Sequence, residues 1–315
     1  MGSEEGTVMV FAPVPQLTVT IEQQTDAPEL HVHPGSQGIW QARMCAALGA
    51  SVTLCAAVGG EIGDVVASLL DREQFAVRLV GRATGTGWYV HDRRGGSREA
   101  LGEHPGAPLG RHDLDELYGV ALAEGLRARV CILSGPAGPE VVAPEVYRRL
   151  AADLSVHGAQ VVADLSGDHL SAALDGGAAF VKVSHEELLG DGRAGDDSVD
   201  ALVGAARDLR RTGARNVLVS RAGEPAIALI DDEAVLVELP SLQVVDHRGA
   251  GDSMTAGVAA VLARGGELRE AVCTGAAAGA LNVTRHGLGT GRRDAIAELV
   301  GRVRLTPLPG GRPGD

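Results

Sequence analysis

Lysine is nearly absent from this 315-residue chain. Lys182 stands alone among 28 basic side chains, the remainder being arginine. A phosphate-cradling loop of the Walker type requires Gly-Lys-Ser/Thr, and Lys182 sits between Val181 and Val183. A protein-kinase pattern needs H-R-D and D-F-G besides its strand lysine, and neither triplet occurs. Pyridoxal chemistry could draw on no other lysine. Aromatic residues make only 3% of the chain, so the core must be built mainly from Ala, Val and Leu. The cysteines, Cys45, Cys55, Cys131 and Cys273, form no C-x-x-C pair. Neither a zinc site nor a disulfide framework is therefore indicated, and buried reduced thiols are the reading. No apolar run approaches the roughly 18 residues of a membrane span, and MGSEEGTVMV lacks a secretory pattern. A soluble, cytoplasmic protein is expected. The net charge of −13 argues against nucleic acid or an anionic membrane as partner. A local site for a small anion stays open.

What is present is glycine, 44 residues, about twice the ordinary share, and an alternation of two patterns. Short β-rich runs at 8–11, 52–58, 128–134, 159–165, 178–184 and 216–220 are continuous rather than alternating. That is the signature of parallel strands covered on both faces. Between them, 37–48, 64–72, 113–124, 144–153, 198–211, 252–264 and 267–283 carry apolar residues at helical spacing. One α/β domain over residues 1–305 is expected, with a mostly parallel central sheet. Residues 15–34 and 84–102 break the pattern: LTVTIE, ELHVH and GWYVHD alternate with period two. They are read as a small antiparallel lid. The Pro/Gly-rich end, 306–315, is read as a flexible tail.

The most informative stretch is 241–266. A strand-like run, Leu242–Val245, leads into Gly249-Ala250-Gly251-Asp252 and then a helix of small and apolar residues. Small residues in such a turn let backbone N–H groups converge, and the helix N-terminus adds partial positive charge. Together they make an anion hole for a transferring phosphoryl group. Asp252 at its rim is poorly placed to bind phosphate and well placed to take a proton from a hydroxyl. An ordinary helix N-cap is the alternative reading.

GAGDSMTAG resembles the signature of the ribokinase-like, PfkB-type carbohydrate kinases, whose Asp is the catalytic base. Other segments of the chain resemble that family in order and spacing over roughly residues 8–300: PGSQGIWQARMCAALGA (34–50), ILSGPAG (132–138), FVKVSHEEL (180–188) and VLVSRAGEPAIAL (217–229). The lysine-bearing motif leans toward the branch that includes 1-phosphofructokinase and tagatose-6-phosphate kinase. The resemblance implies a three-layer α/β/α sandwich, ATP and Mg²⁺ as cofactors, and a sugar or phosphosugar acceptor. It implies Asp252 as general base, with Gly249, Ala250 and Gly251 holding the charge on the γ-phosphoryl. Lys182, Ser184, Glu187, Ser220, Ala222 and Gly223 would bind ATP, with Glu187 holding Mg²⁺ through water. Gly35, Ser36, Gln37, Gly38, Trp40 and Arg248 would meet the acceptor. A homodimer joined through the lid is implied as well.

The chain departs from the pattern at the acceptor end. Gln16 or Pro15 stands where an early substrate Asp is expected, Trp40 where Asn is usual, and Ser184 where the lysine motif has an amide. Ala222 and Pro225 replace glycines in the nucleotide loop. His247 and Arg248 replace small residues before the turn. Of the lid arginines of phosphosugar kinases, only Arg82 is recognised near 81–90. An atypical acceptor is therefore expected, with a nucleoside kinase or a ligand-binding protein without turnover as alternatives. His31 and His33 share one strand face but lack a third metal ligand.

Overall fold

The computed structural model describes residues 6–25, 27–239, 242–245, 248–284 and 289–308. The chain begins with β1 (Thr7–Phe11), whose Val8 and Val10 face one way and Met9 and Phe11 the other; all four are buried. That two-sided burial is why the strand reads as a continuous apolar run. Two strands of a separate small sheet follow, β2 (Gln16–Gln23) and β3 (Pro28–Gly35), then α1 (Gln37–Ala47), β4 (Ser51–Val58), α2 (Gly60–Leu70) and β5 (Ala76–Gly81). The small sheet is completed by β6 (Gly87–Asp92) and β7 (Glu99–His104). Next come α3 (Arg111–Gly125), β8 (Val130–Ser134), α4 (Pro144–Val156), β9 (Gln160–Asp164) and α5 (Gly167–Gly176). After β10 (Ala178–Ser184), α6 (His185–Gly190) and α7 (Val199–Arg211) lie β11 (Ala214–Arg221), β12 (Glu224–Ile230) and β13 (Glu233–Glu238). The chain closes with α8 (Ala250–Ala263), α9 (Leu268–Asn282), α10 (Arg293–Val300) and β14 (Arg304–Pro307).

Ten strands form one sheet in the order β14-β13-β12-β11-β10-β9-β8-β1-β4-β5. The pairs from β11 to β5 are parallel; β12, β13 and β14 join antiparallel. Met9, Phe11, Leu117, Tyr147 and Leu150 pack on one face, with α3 and α4. Val8, Val10, Ile39, Val258 and Val272 pack on the other, with α1, α8 and α9. This is the three-layer α/β/α sandwich expected. Helices α8 and α9 approach closely because glycines face each other: a Cβ on Gly257 would lie 2.6 Å from the Gly275 Cα.

The small sheet runs β3-β2-β6-β7. It was expected to be antiparallel, yet its central pair, β2 and β6, is parallel. The two hairpins come from separate places in the chain and meet side by side in the same direction. Leu242–Val245 is not a strand. Both edges of β13, the strand before it, are already taken, by β12 and β14. Val244 and Val245 are half exposed, and the Val245 N–H donates to the Val283 carbonyl instead. The tail also differs from expectation: Thr306 and Pro307 belong to β14, and the Leu308 N–H donates to Ala234 O. Pro307 is tolerated because it ends an edge strand and owes no further ladder bond. The rest of that tail, from 309, lies outside the described residues. Cys45, Cys55 and Cys131 are buried thiols and Cys273 is half-buried; all four are free. Among the described residues no helix is long and apolar enough to cross a membrane.

Candidate active site

The C-terminal ends of the parallel strands meet the start of α8, and the chemistry-bearing residues collect there. Gly249 caps α8 in a left-handed conformation, φ 71°, which glycine adopts without steric cost. The next amides, of Ala250, Gly251 and Asp252, are first-turn donors with no intrahelical acceptor. Asp252 is buried with its carboxyl at this helix start.

Lys182 extends from the end of β10 and is buried, its Nζ donating to Asp164 Oδ1 at 3.4 Å. A Cβ on Gly251 would fall 2.4 Å from that Nζ, so the ammonium lies directly over the turn. Burial pulls the lysine's pKa down, but the carboxylates of Asp164, Glu187 and Asp252 outweigh it, and the net shift is upward. For Asp252 burial acts first, and the nearby Asp164 carboxylate adds to it. The acid is pushed up to about 8, against the opposing pull of Lys182.

Asp164, at the end of β9, was not anticipated as a site residue, nor was its network. It is 1% exposed. Gln41 Nε2 donates to its Oδ2 at 2.9 Å and to Asp252 Oδ1 at 3.4 Å. The Thr255 hydroxyl donates to Asp164 Oδ2 at 2.7 Å. The carbonyl oxygen of the Gln41 amide accepts from Ser134 Oγ at 2.5 Å. One signal was present in the sequence: Gln41 is a polar residue on the buried stripe of α1, between Gly38 and Cys45.

Ser184 caps α6 and forms a capping box with Glu187. Its hydroxyl accepts from the Glu187 N–H, and Glu187 Oε2 accepts from the Ser184 N–H at 2.7 Å. The amide expected in the lysine motif is thus replaced by a helix cap. Glu187 Oε1 makes no hydrogen bond among the described residues. Ser220 lies beside Ser184 in the sheet register. Ala222 and Gly223 form the exposed β11–β12 turn, Ala222 with φ 48°. Three acidic side chains, Asp164, Glu187 and Asp252, therefore surround a single ammonium, an excess of negative charge that a divalent cation would offset. Among the described residues no group of three His, Cys, Asp or Glu converges closely enough to ligate a metal directly. The one carboxylate oxygen left outside the capping box, Glu187 Oε1, would suit an ion that keeps its water shell, as Mg²⁺ does.

Between the small sheet and α1 lies a cavity of about 550 Å³. Ser36, Trp40 and Arg248 line it; Gly35, Gln37 and Gly38 do not. Gln37 Oε1 instead accepts from the Gly135 N–H at 2.9 Å. Gly35 and Gly38 allow close approach, to Thr18 Oγ1 and to Ala12. Arg248 stands one residue before the turn; its neighbour His247 lies outside the described residues. Arg82, the lid arginine recognised in the sequence, is not in this cavity. It is buried, donating to Thr84 Oγ1 and to the Ala107 carbonyl. The cations that do line it are Arg43, Arg93, Arg98 and Arg248, against Glu22 and Glu103. They come from α1, from the β6–β7 turn and from the α8 approach, and so escape any local motif. Arg98 stacks on Tyr89, 4.3 Å from the ring centre. Burial, with Arg43, His91, His31 and Arg248 around it, lowers the pKa of His33 to about 4, so that imidazole is neutral.

Comparison with known proteins identifies the family. The family model of the pfkB carbohydrate kinases matches residues 8–295. ATP-dependent 6-phosphofructokinase isozyme 2 of Escherichia coli is 30% identical over 261 residues, covering 81% of this chain and 82% of that protein. The 1-phosphofructokinase of Bacillus subtilis is 26% identical over 280 residues, covering 88% and 89%. The solved structure of E. coli phosphofructokinase-2 in complex with fructose-6-phosphate superposes with a TM-score of 0.80 at 26% identity, covering 94% and 99%. With the sandwich, the small second sheet and a family match over nearly its whole length, the chain belongs to the pfkB family of carbohydrate kinases, enzymes that transfer a phosphoryl group to a sugar hydroxyl.

Proposed function

We propose that the chain transfers the γ-phosphoryl group of ATP to a hydroxyl of a phosphosugar, with Asp252 as general base. The observation that carries this reading is the arginine-lined cavity that opens one residue away from the Gly249–Asp252 turn. A phosphate on the acceptor would be held by guanidinium groups through charge-assisted bonds, leaving a hydroxyl toward Asp252. The cations also argue against a neutral nucleoside as acceptor. The phosphofructokinase names of the relatives support the same class.

The acceptor oxygen forms its bond to the γ-phosphorus and gives its proton to Asp252. The bond from that phosphorus to the bridging oxygen of ATP breaks, and ADP leaves with the electron pair. The amides of Ala250 and Gly251, oriented by Gly249, meet the charge on the transferring group, and Lys182 reaches the phosphates as a point charge. Glu187 Oε1 would hold Mg²⁺ through water, and the bound ion supplies neutralisation of phosphate charge. Ser184 and Ser220, at the ends of β10 and β11, and the Ala222–Gly223 turn would border the nucleotide. Ser36 and Trp40 would contact the sugar, with Gly35, Gln37 and Gly38 shaping the wall behind them.

The face of the small sheet turned away from the cavity presents Val19, Ile21, Leu30, Val32 and Val90, with Leu30 62% exposed. A second copy of the chain would cover that face in a dimer; a tetrameric form is described for E. coli phosphofructokinase-2. The test of function is ADP release with Mg·ATP against phosphosugars, sugars and nucleosides, with Asp252→Asn as control. A phosphosugar is expected to give the highest kcat/KM. ATP binding without ADP release across the panel would overturn the reading.

A further inference from the structure

Gln41 is fully buried, on the face of α1 that meets the strand ends. A buried primary amide needs partners for two N–H groups and a carbonyl oxygen. Here each has one. The oxygen accepts from Ser134 Oγ at 2.5 Å, and Nε2 donates to Asp164 Oδ2 at 2.9 Å and Asp252 Oδ1 at 3.4 Å. Ser134 is itself held, its carbonyl accepting from the Tyr147 hydroxyl at 2.9 Å. The orientation of the amide follows from this. Reversed, it would set its oxygen against the carboxyl oxygens of Asp164 and Asp252.

We infer that Gln41 is a positioning residue for the catalytic base: its amide bridges Asp164 and Asp252, fixes Asp252 Oδ1, and leaves Oδ2 as the oxygen that receives the acceptor proton. The inference rests on the reading of Asp252 as base. Oδ2 of Asp252 makes no hydrogen bond among the described residues. The charged groups facing Asp252 are Asp164 from β9, Lys182 from β10 and Glu187 from α6. Two of the three are carboxylates that disfavour a second negative charge. An N–H donor between Asp164 and Asp252 offsets that repulsion and keeps the base ionisable near neutrality; the Gln41 bond acts on Asp252 in the lowering direction. Thr255 supports the same arrangement by donating to Asp164 rather than to Asp252.

The test compares wild type with Gln41→Met, which keeps length and removes the amide, and Ser134→Ala, which releases the amide's far end. The pH dependence of kcat is measured with Mg·ATP and the best acceptor, and the Asp252 carboxyl carbon is titrated by ¹³C NMR in the resting protein. Gln41→Met is expected to lower kcat at neutral pH about tenfold and to move the acid limb and the NMR midpoint up by about one pH unit. KM for ATP should stay within about twofold, since Gln41 is not placed at the nucleotide. Ser134→Ala should move both midpoints in the same direction by less, and it carries the test if Gln41→Met does not fold. Midpoints that match wild type in the folded variants, with Asp252→Asn inactive, would overturn the role of Gln41 alone. Wild-type turnover in Asp252→Asn would instead overturn the base, and the inference with it, whatever the NMR midpoint does.

Discussion

Lys182 and Gly251 touch: the ammonium sits 2.4 Å from where a side chain on Gly251 would begin. The glycine therefore does more than free the backbone, because it leaves room for the cation over the amides of the turn. Gly251→Ala should displace the ammonium from the turn. Turnover is expected to fall about 10²-fold or more, the scale of losing one preorganised stabilising group. Steady-state kinetics checks this. Wild-type kcat in the variant would show that the contact is incidental.

The same lysine neutralises Asp164, which is 1% exposed. Removing one partner of a buried pair leaves an uncompensated charge, at a cost of about 3 kcal/mol. Lys182→Met should therefore lower stability in urea by roughly that amount, and adding Asp164→Asn should recover most of it. Lys182→Arg keeps the charge but brings a larger planar group into the narrow space that Gly251 leaves. Steep loss of turnover is expected, and an unchanged kcat would count against a point-charge role at 182.

Asp252→Asn should abolish most activity yet raise stability. The wild-type acid is pushed up to about 8 by burial and by Asp164, against about 3.9 in an unfolded chain. The folded state thus keeps a proton that the unfolded chain releases, and wild-type stability falls as pH rises from about 4 to about 8. The variant has no such proton to hold. Its advantage in Tm should be absent near pH 4, widen with rising pH, and stop widening above about 8. A Tm difference independent of pH would contradict the assignment.

Arg98 stacks on Tyr89 at the cavity wall. Arg98→Ala should raise KM for a phosphorylated acceptor about tenfold, the scale of a charge-assisted contact, with kcat little changed. The effect should shrink at high ionic strength through screening. An unphosphorylated sugar should show no such change. Equal effects on both acceptors would mean that Arg98 shapes the wall and does not read a phosphate.

Much of the architecture was legible because it is local. Two-sided burial gives runs such as β8 and β10 their continuous apolar character, and helix spacing marks α7. Leu242–Val245 misled because apolar content cannot reveal whether a neighbouring strand has a free edge. β14 escaped because Pro and Gly downstream mask a four-residue edge strand. At the site, the turn before α8 and Lys182 each stand in a recognisable local pattern. Asp164 and Gln41 do not: their bond joins residues 123 positions apart, and that from Gln41 to Asp252 spans 211. The arginine cavity is likewise assembled from three distant segments, whereas Arg82, near in sequence, is spent on holding a loop.

The pairing of β2 with β6 joins the two hairpins into one four-stranded plate, which the chain enters before 16 and before 87 and leaves after 35 and after 104. The β6–β7 turn at the rim of that plate carries Arg93 and Arg98, which flank Gly95 and Gly96. Any insertion or deletion in that turn alters the spacing between two guanidinium groups without disturbing a single residue of the sandwich. On the proposed reading, the length of that turn would set which phosphorylated acceptor fits.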